Sequence, residues 1–172
     1  MPRRSTLACA ALALTMLAGT VHAQRASVAI GAVVPSGDYS TTAGTGFEIQ
    51  LQARTEPMFG PIALRIDIGY EHFAGRDSTG ANTTFSQSIS FLGDFGSRFY
   101  WLAGPGYYQK GTPVTIDGHT GTRNFSYFGA QGAVGVNFQV LRWDGFLEAG
   151  AVKLFAPGPT IAWVPLRFGI RL

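Results

Sequence analysis

The stretch Ile62-Ala63-Leu64-Arg65-Ile66-Asp67-Ile68-Gly69-Tyr70-Glu71 alternates without a break. Ile62, Leu64, Ile66, Ile68 and Tyr70 fall on one side, and Ala63, Arg65, Asp67, Gly69 and Glu71 on the other. Successive side chains of a strand point to opposite faces, so this is a β-strand with one apolar and one polar face. The pattern recurs along the chain. Phe47, Ile49 and Leu51 oppose Glu48, Gln50, Gln52 and Arg54, and Phe85, Ile89, Phe91 and Phe95 oppose Ser86, Ser88, Ser90 and Asp94. Near the end, Val164, Leu166, Phe168, Ile170 and Leu172 oppose Pro165, Arg167, Gly169 and Arg171. A softer version sets Ala130, Val134, Val136 and Phe138 against Gln131, Gly135, Asn137 and Gln139.

Eight such segments are expected, at about 25–34, 45–55, 62–73, 84–95, 98–109, 124–140, 145–155 and 161–172, separated by Gly, Ser, Asn, Asp and Thr clusters. Segments 98–109 and 145–155 alternate poorly, and their facing stays open. No stretch shows a 3.6-residue period. The connections 56–61, 96–97 and 141–144 are short. Those at 35–44, 74–83 and 110–123 are long and polar, while the link 156–160 is short and breaks the rule. Short turns at one end and long loops at the other mark the membrane-barrel pattern. The expected fold is all-β: one eight-stranded antiparallel up-and-down transmembrane β-barrel over residues 24–172. Its short turns and N-terminus would face the periplasm.

Residues 1–23 read as a secretory signal peptide. Arg3 and Arg4 supply the charge, Leu7 to Ala18 the apolar run, and Val21-His22-Ala23 the small residues before a cut at Gln24. Without this leader 149 residues remain, with 11 basic against 10 acidic residues and no cysteine. A net charge of +1 leaves no cationic footprint for nucleic acid. An exported chain without disulfides must be stabilised by burial or by the membrane.

Alternation alone does not say which face is wet. A soluble lipocalin-like ligand-binding barrel turns its apolar faces inward, and a membrane barrel turns them out. Charge density separates the two. The 21 charged residues among 149, with Lys110 and Lys153 the only lysines, are about half of what a soluble surface carries. Many of the charges lie on the strands' polar face. Glu48, Arg54, Arg65, Asp67, Glu71, Asp94, Glu148, Arg167 and Arg171 are therefore expected to form a lumen ion-pair network, their mixed signs allowing them to pair. Eight strands enclose a space that side chains fill, so no wide pore is expected. Aromatics cluster at the strand ends and read as two interfacial girdles: Phe59, Phe95, Phe99, Trp143 and Phe146 at one end, and Phe47, Tyr70, Phe73, Phe85, Tyr107, Tyr108, Phe125, Phe155 and Trp163 at the other.

The whole mature chain resembles the small eight-stranded outer-membrane β-barrel proteins of Gram-negative-type bacteria. The carriers are the leader, the eightfold alternation, the opening Ala26-Ser27-Val28-Ala29-Ile30-Gly31 and the ending Val164 to Leu172. The resemblance implies outer-membrane lipid as surroundings and the barrel-insertion machinery as a partner. Leu166, Phe168, Ile170 and Leu172 would form the insertion-signal strand, with Leu172 standing where relatives carry Phe or Trp.

Function is less legible. The first expectation is a non-enzymatic protein, envelope-structural or surface-binding through its long loops, with an unknown loop partner. The alternative is a lipid-modifying enzyme, since acyl transfer needs a nucleophile beside a base. Asp77, Ser78, His72 and His119 are its only candidates, and their spacing matches neither a palmitoyltransferase-like nor a deacylase-like barrel. No catalytic, cofactor or metal site is assigned. Asp117 and His119 read as a solvated turn.

Overall fold

The computed structural model describes residues 25–76, 80–116 and 119–172, without the side chains of residues 115, 116, 119 and 120. The leader reading of residues 1–23 falls outside these residues, as do Asp77 and Ser78. Eight strands follow one another: β1 (Arg25–Ser36), β2 (Ala43–Arg54), β3 (Ile62–Gly75), β4 (Asn82–Phe95), β5 (Phe99–Ile116), β6 (His119–Val140), β7 (Trp143–Leu154) and β8 (Ile161–Arg171). Each pairs antiparallel with its sequence neighbour, and β8 closes on β1, making an up-and-down barrel without edges.

The register fixes the geometry. Ile161 of β8 pairs with Leu154, and the partners then run Gly129, Gly106, Ser88, Asp67, Gln52, Ser27 and back to β8 at Arg171. One circuit therefore displaces β8 by ten residues, from 161 to 171. For eight strands this offset corresponds to a tilt of roughly 43°. Phe85 and Phe95 lie ten residues apart on β4. At about 3.4 Å per residue and this tilt they are separated by about 25 Å along the axis, the height of a bilayer's apolar band.

The strands turn their apolar faces outward. Ile30, Ile49, Leu51, Ile89, Phe91, Leu147 and Leu166 are exposed, whereas Ser27, Glu48, Gln50, Asp67, Ser88, Gln131 and Arg167 are buried. This is the inverse of a lipocalin-like arrangement. The two segments of open facing are settled by burial. On β5, Tyr100, Leu102 and Tyr108 face in while Phe99 and Trp101 face out; on β7, Phe146, Glu148, Val152 and Leu154 face in while Trp143 and Leu147 face out.

Three expectations need correction. The stretch 110–123 is not a loop: Lys110–Ile116 pair with His119–Phe125, extending the β5–β6 hairpin. Residues 112–116 and 119–123 pair only with each other, because β4 ends its pairing at Thr83↔Gly111. Thr112, Val114, Thr115 and Ile116 favour strand. Asp117-Gly118, lying between the last pair, is a hairpin sequence. The stretch 35–44 is not a long loop either. β1 runs to Ser36, and a single 3-10 turn, Gly37–Thr41, leads to β2. The turn is held by the Ser40 and Thr41 hydroxyls donating to the carbonyls of Gly37 and Asp38. Gly37 takes the left-handed φ of 59° that favours glycine.

The third correction concerns the girdles. Phe73, Tyr108, Phe146 and Trp163 face the lumen and are buried. At the outer end Val33, Tyr39, Ala43, Phe73, Tyr108, Val152, Leu154 and Trp163 form one apolar cluster, with Trp163 edge-on to both Phe73 (5.6 Å) and Tyr108 (5.7 Å). The lumen is thus capped by an apolar plug as well as filled by polar groups. Glycine makes room for these rings. A Cβ on Gly135 would strike the Tyr100 ring, and one on Gly169 the Phe146 ring.

Candidate functional site

The centre of the lumen gathers charged groups from four strands. Arg65 of β3 reaches across the barrel to Glu148 of β7, Nη1 donating to Oε2 at 2.6 Å and Nη2 to Oε1 at 3.2 Å. Its Nε lies 2.9 Å from Oδ1 of Asp67. Arg167 of β8 grips Glu48 of β2 with two donors, Nε to Oε1 at 2.8 Å and Nη2 to Oε2 at 3.2 Å, and gives its Nη1 to Glu148 Oε1 at 2.6 Å. Glu148 also accepts from the Tyr100 hydroxyl at 3.0 Å. Gln131 donates to Asp67, Ser88 and Ser90. Arg65, Arg167 and their three carboxylate partners are each at most 3% exposed. Their charges pair with one another inside a space where a lone charge would be expensive.

The other predicted lumen residues stand apart from this centre. Arg54 pairs with Asp94 at 2.7 Å at the short-turn end, where both are partly exposed. Arg171 donates to the Asn137 side-chain carbonyl there. Glu71 lies toward the outer end and meets no arginine; Ser86 Oγ donates to its Oε1 at 2.7 Å. Of the strand-8 set, Leu166, Phe168 and Leu172 are exposed on the outer surface, and Ile170 is partly covered.

The path along the axis narrows sharply. A vestibule of about 420 Å³, lined by Arg25, Arg54, Asp94, Asp144 and Arg171, opens at the short-turn end. Above it lies a pocket of about 20 Å³ against Arg65, Leu92, Tyr100 and Phe146, which is room for about one water. The salt bridges lie beyond that, and the aromatic plug closes the far end. Tyr39, on the 3-10 turn, sits over the plug with its ring edge-on to Phe73 at 5.2 Å. Burial pushes its hydroxyl pKa above the ordinary phenol range, with the Glu71 charge adding to the rise. The phenol therefore stays neutral.

Of the acyl-transfer candidates, only His72 lies wholly within the described residues. His72 lies on β3 with its ring 5.3 Å from Phe47, an outward-facing residue. Asp77, Ser78 and the His119 side chain lie outside the described residues. Among the described residues no three His, Cys, Asp or Glu side chains form a metal-binding group.

Sequence reasoning missed the plug. The signal was present, since Phe73 shares the parity of Glu71 and Trp163 that of Arg167. Tyr39 carried no signal, because its turn lies outside any alternating run.

No family model matches the sequence, and no curated protein is similar to it in sequence. Solved structures are similar in fold. Neisserial surface protein A aligns with a TM-score of 0.57 at 17% identity, over 87% of this chain and 95% of that one. Ail, the attachment invasion locus protein of Yersinia pestis, aligns at 0.55 with 14% identity, over 88% of this chain and 100% of that one. Ail has also been crystallised in complex with the heparin analogue sucrose octasulfate. In architecture, strand count and outward apolar faces, this chain has the fold of the small eight-stranded outer-membrane β-barrels.

Proposed function

We propose that this chain is a non-enzymatic integral protein of the outer membrane of a Gram-negative-type bacterium. Its lumen is closed, and it acts in envelope structure or surface binding through its outer rim. The single observation that carries the reading is the inversion of its faces, apolar outside and charged inside, with aromatics spaced by about 25 Å along the axis. Outer-membrane lipid surrounds the barrel, and the insertion machinery reads the strand ending Leu166, Phe168, Ile170 and Leu172 after removal of residues 1–23. The Arg65–Glu148–Arg167–Glu48 network and the plug around Trp163 support a closed lumen. The β5–β6 hairpin is the binding element this reading favours, because residues 112–116 and 119–123 extend past the barrel wall and pair only with each other.

Two measurements test it. In planar bilayers the protein gives no steady large conductance, and a steady large conductance would sink the closed-lumen reading. Replacing residues 112–123 by a short turn leaves a folded barrel and lowers binding to host or envelope surfaces. Unchanged binding would sink the hairpin's role.

A further inference from the structure

The outer half of the lumen holds a cluster of polar atoms that the protein itself leaves without hydrogen bonds. Glu71 Oε2, Thr84 Oγ1, Tyr108 Oη, Trp163 Nε1 and Tyr39 Oη are all buried and unpartnered, on side chains at most 3% exposed. They lie together. Glu71 and Thr84 are direct register partners on β3 and β4. Ser86, which donates to Glu71, is the register partner of Tyr108, whose ring packs edge-on against Trp163 at 5.7 Å; Tyr39 joins them through Phe73, 5.2 Å away. Native interiors rarely leave such atoms orphaned, and a group of them marks a place where water or an ion is held.

Charge decides between the two. The register places Glu48 directly opposite Glu71, so two buried carboxylates stand side by side. Facing like charges on adjacent strands repel. Glu48 is neutralised by two donors of Arg167, whose third goes to Glu148. Glu71 receives the Ser86 hydroxyl at Oε1 and, among the described residues, no arginine donor. The next inward residue along its register row beyond Thr84 is Lys110, and its amine lies over the Tyr39 ring at 4.2 Å. Among the described residues Glu71 is thus a buried carboxylate with no cation paired to it, set among hydroxyl oxygens.

We propose that this cluster binds one small alkali cation through Glu71 Oε2 and the hydroxyl oxygens of Thr84 and Tyr108, beneath the turn that carries Tyr39. An all-oxygen donor set selects a hard cation, and a single carboxylate is too little charge for a calcium site. Trp163 Nε1 donates to a water in the ion's shell. The cation then does for Glu71 what Arg167 does for Glu48. This inference rests on the barrel's interior and not on its cellular location, so the two fail separately.

The test compares the full protein, refolded into detergent micelles, in sodium or potassium chloride and in choline chloride at the same ionic strength, about 0.2 M. Choline, a bulky quaternary cation, is the salt not expected to bind. The folding equilibrium constant is expected to be about tenfold larger with the alkali salt, as for a ligand present at about ten times its Kd. In Glu71→Gln, which removes the charge and keeps the shape, the two salts should agree within about twofold. Crystals soaked in rubidium chloride give an anomalous peak beside Glu71 Oε2, a readout that does not depend on the variant folding. Equal stability of the wild type in both salts, or a salt dependence retained in Glu71→Gln, would overturn the site. So would the absence of a rubidium peak, and the carboxyl would then carry a proton among enclosed waters.

Discussion

Arg167 holds the centre of the lumen, and removing it gives the sharpest energetic test of this interior. In Arg167→Met the stem volume is kept and three charged hydrogen bonds are lost, two to Glu48 and one to Glu148. Glu148 keeps both donors from Arg65 and the Tyr100 hydroxyl, so it stays neutralised. Glu48 keeps no cation at all while remaining 1% exposed. Losing one partner of a buried ion pair costs about 3–5 kcal/mol, most of it the penalty of the stranded charge. Most of that loss should therefore return when the stranded charge is removed too. The double variant Glu48→Gln/Arg167→Met is expected within about 2 kcal/mol of wild type, because a neutral amide replaces the lone carboxylate. The assay is urea unfolding in phospholipid vesicles followed by tryptophan fluorescence. Two results would refute the reasoning: Arg167→Met within about 1 kcal/mol of wild type, or a double variant as unstable as the sum of its singles.

Further consequences can be read from the same geometry. Trp163→Ala empties the centre of the outer plug and should destabilise the barrel by about 3–5 kcal/mol, measured as a fall in the urea midpoint at unchanged m-value. Gly169→Val drives a side chain into the Phe146 ring and should cost about 1–3 kcal/mol, with part recovered in Gly169→Val/Phe146→Leu. A lysine on the outer face at Leu147, level with the hydrocarbon, should cost about 2–4 kcal/mol in vesicles. The same substitution at Phe155, near the outer rim, should cost about 1 kcal/mol or less. Equal costs at the two positions would remove the depth dependence that a bilayer imposes.

Much of the barrel was written in its alternation. Ile62 to Glu71 divided β3 into one apolar and one polar face, the low charge density turned the polar face inward, and the same parity held on β2, β4, β6 and β8. What parity does not carry is partnership. Arg65 meets Glu148, 83 residues away, because the ten-residue offset brings β3 and β7 to face each other at that height. Nothing local to either residue states that offset. The interfacial reading of Phe73, Tyr108, Phe146 and Trp163 went wrong because an aromatic at a strand end serves equally as a girdle or as a plug. Only the facing of its strand separates the two: parity showed it for Phe73 on β3 and Trp163 on β8, whereas β5 and β7 alternate too weakly to show it for Tyr108 and Phe146, with Gly104, Gly106 and Gly150 blurring the pattern. The 110–123 stretch was hidden by its Gly and Thr content, although Asp117-Gly118 is itself a hairpin signal. The candidate site had a mixed outcome for the same reason. Strand parity put the charges on one face, but whether each meets a cation depends on three-dimensional neighbours, as the contrast between Glu48 and Glu71 makes plain.

The most direct test of the account is the electrophoretic mobility of the membrane-extracted protein, with and without boiling in detergent. The account predicts that the protein fractionates with the outer membrane. It also predicts that the unboiled sample runs as a separate, compact band that boiling converts to the unfolded position. A single band at one position, with the protein recovered free from the periplasm or the medium, would contradict it.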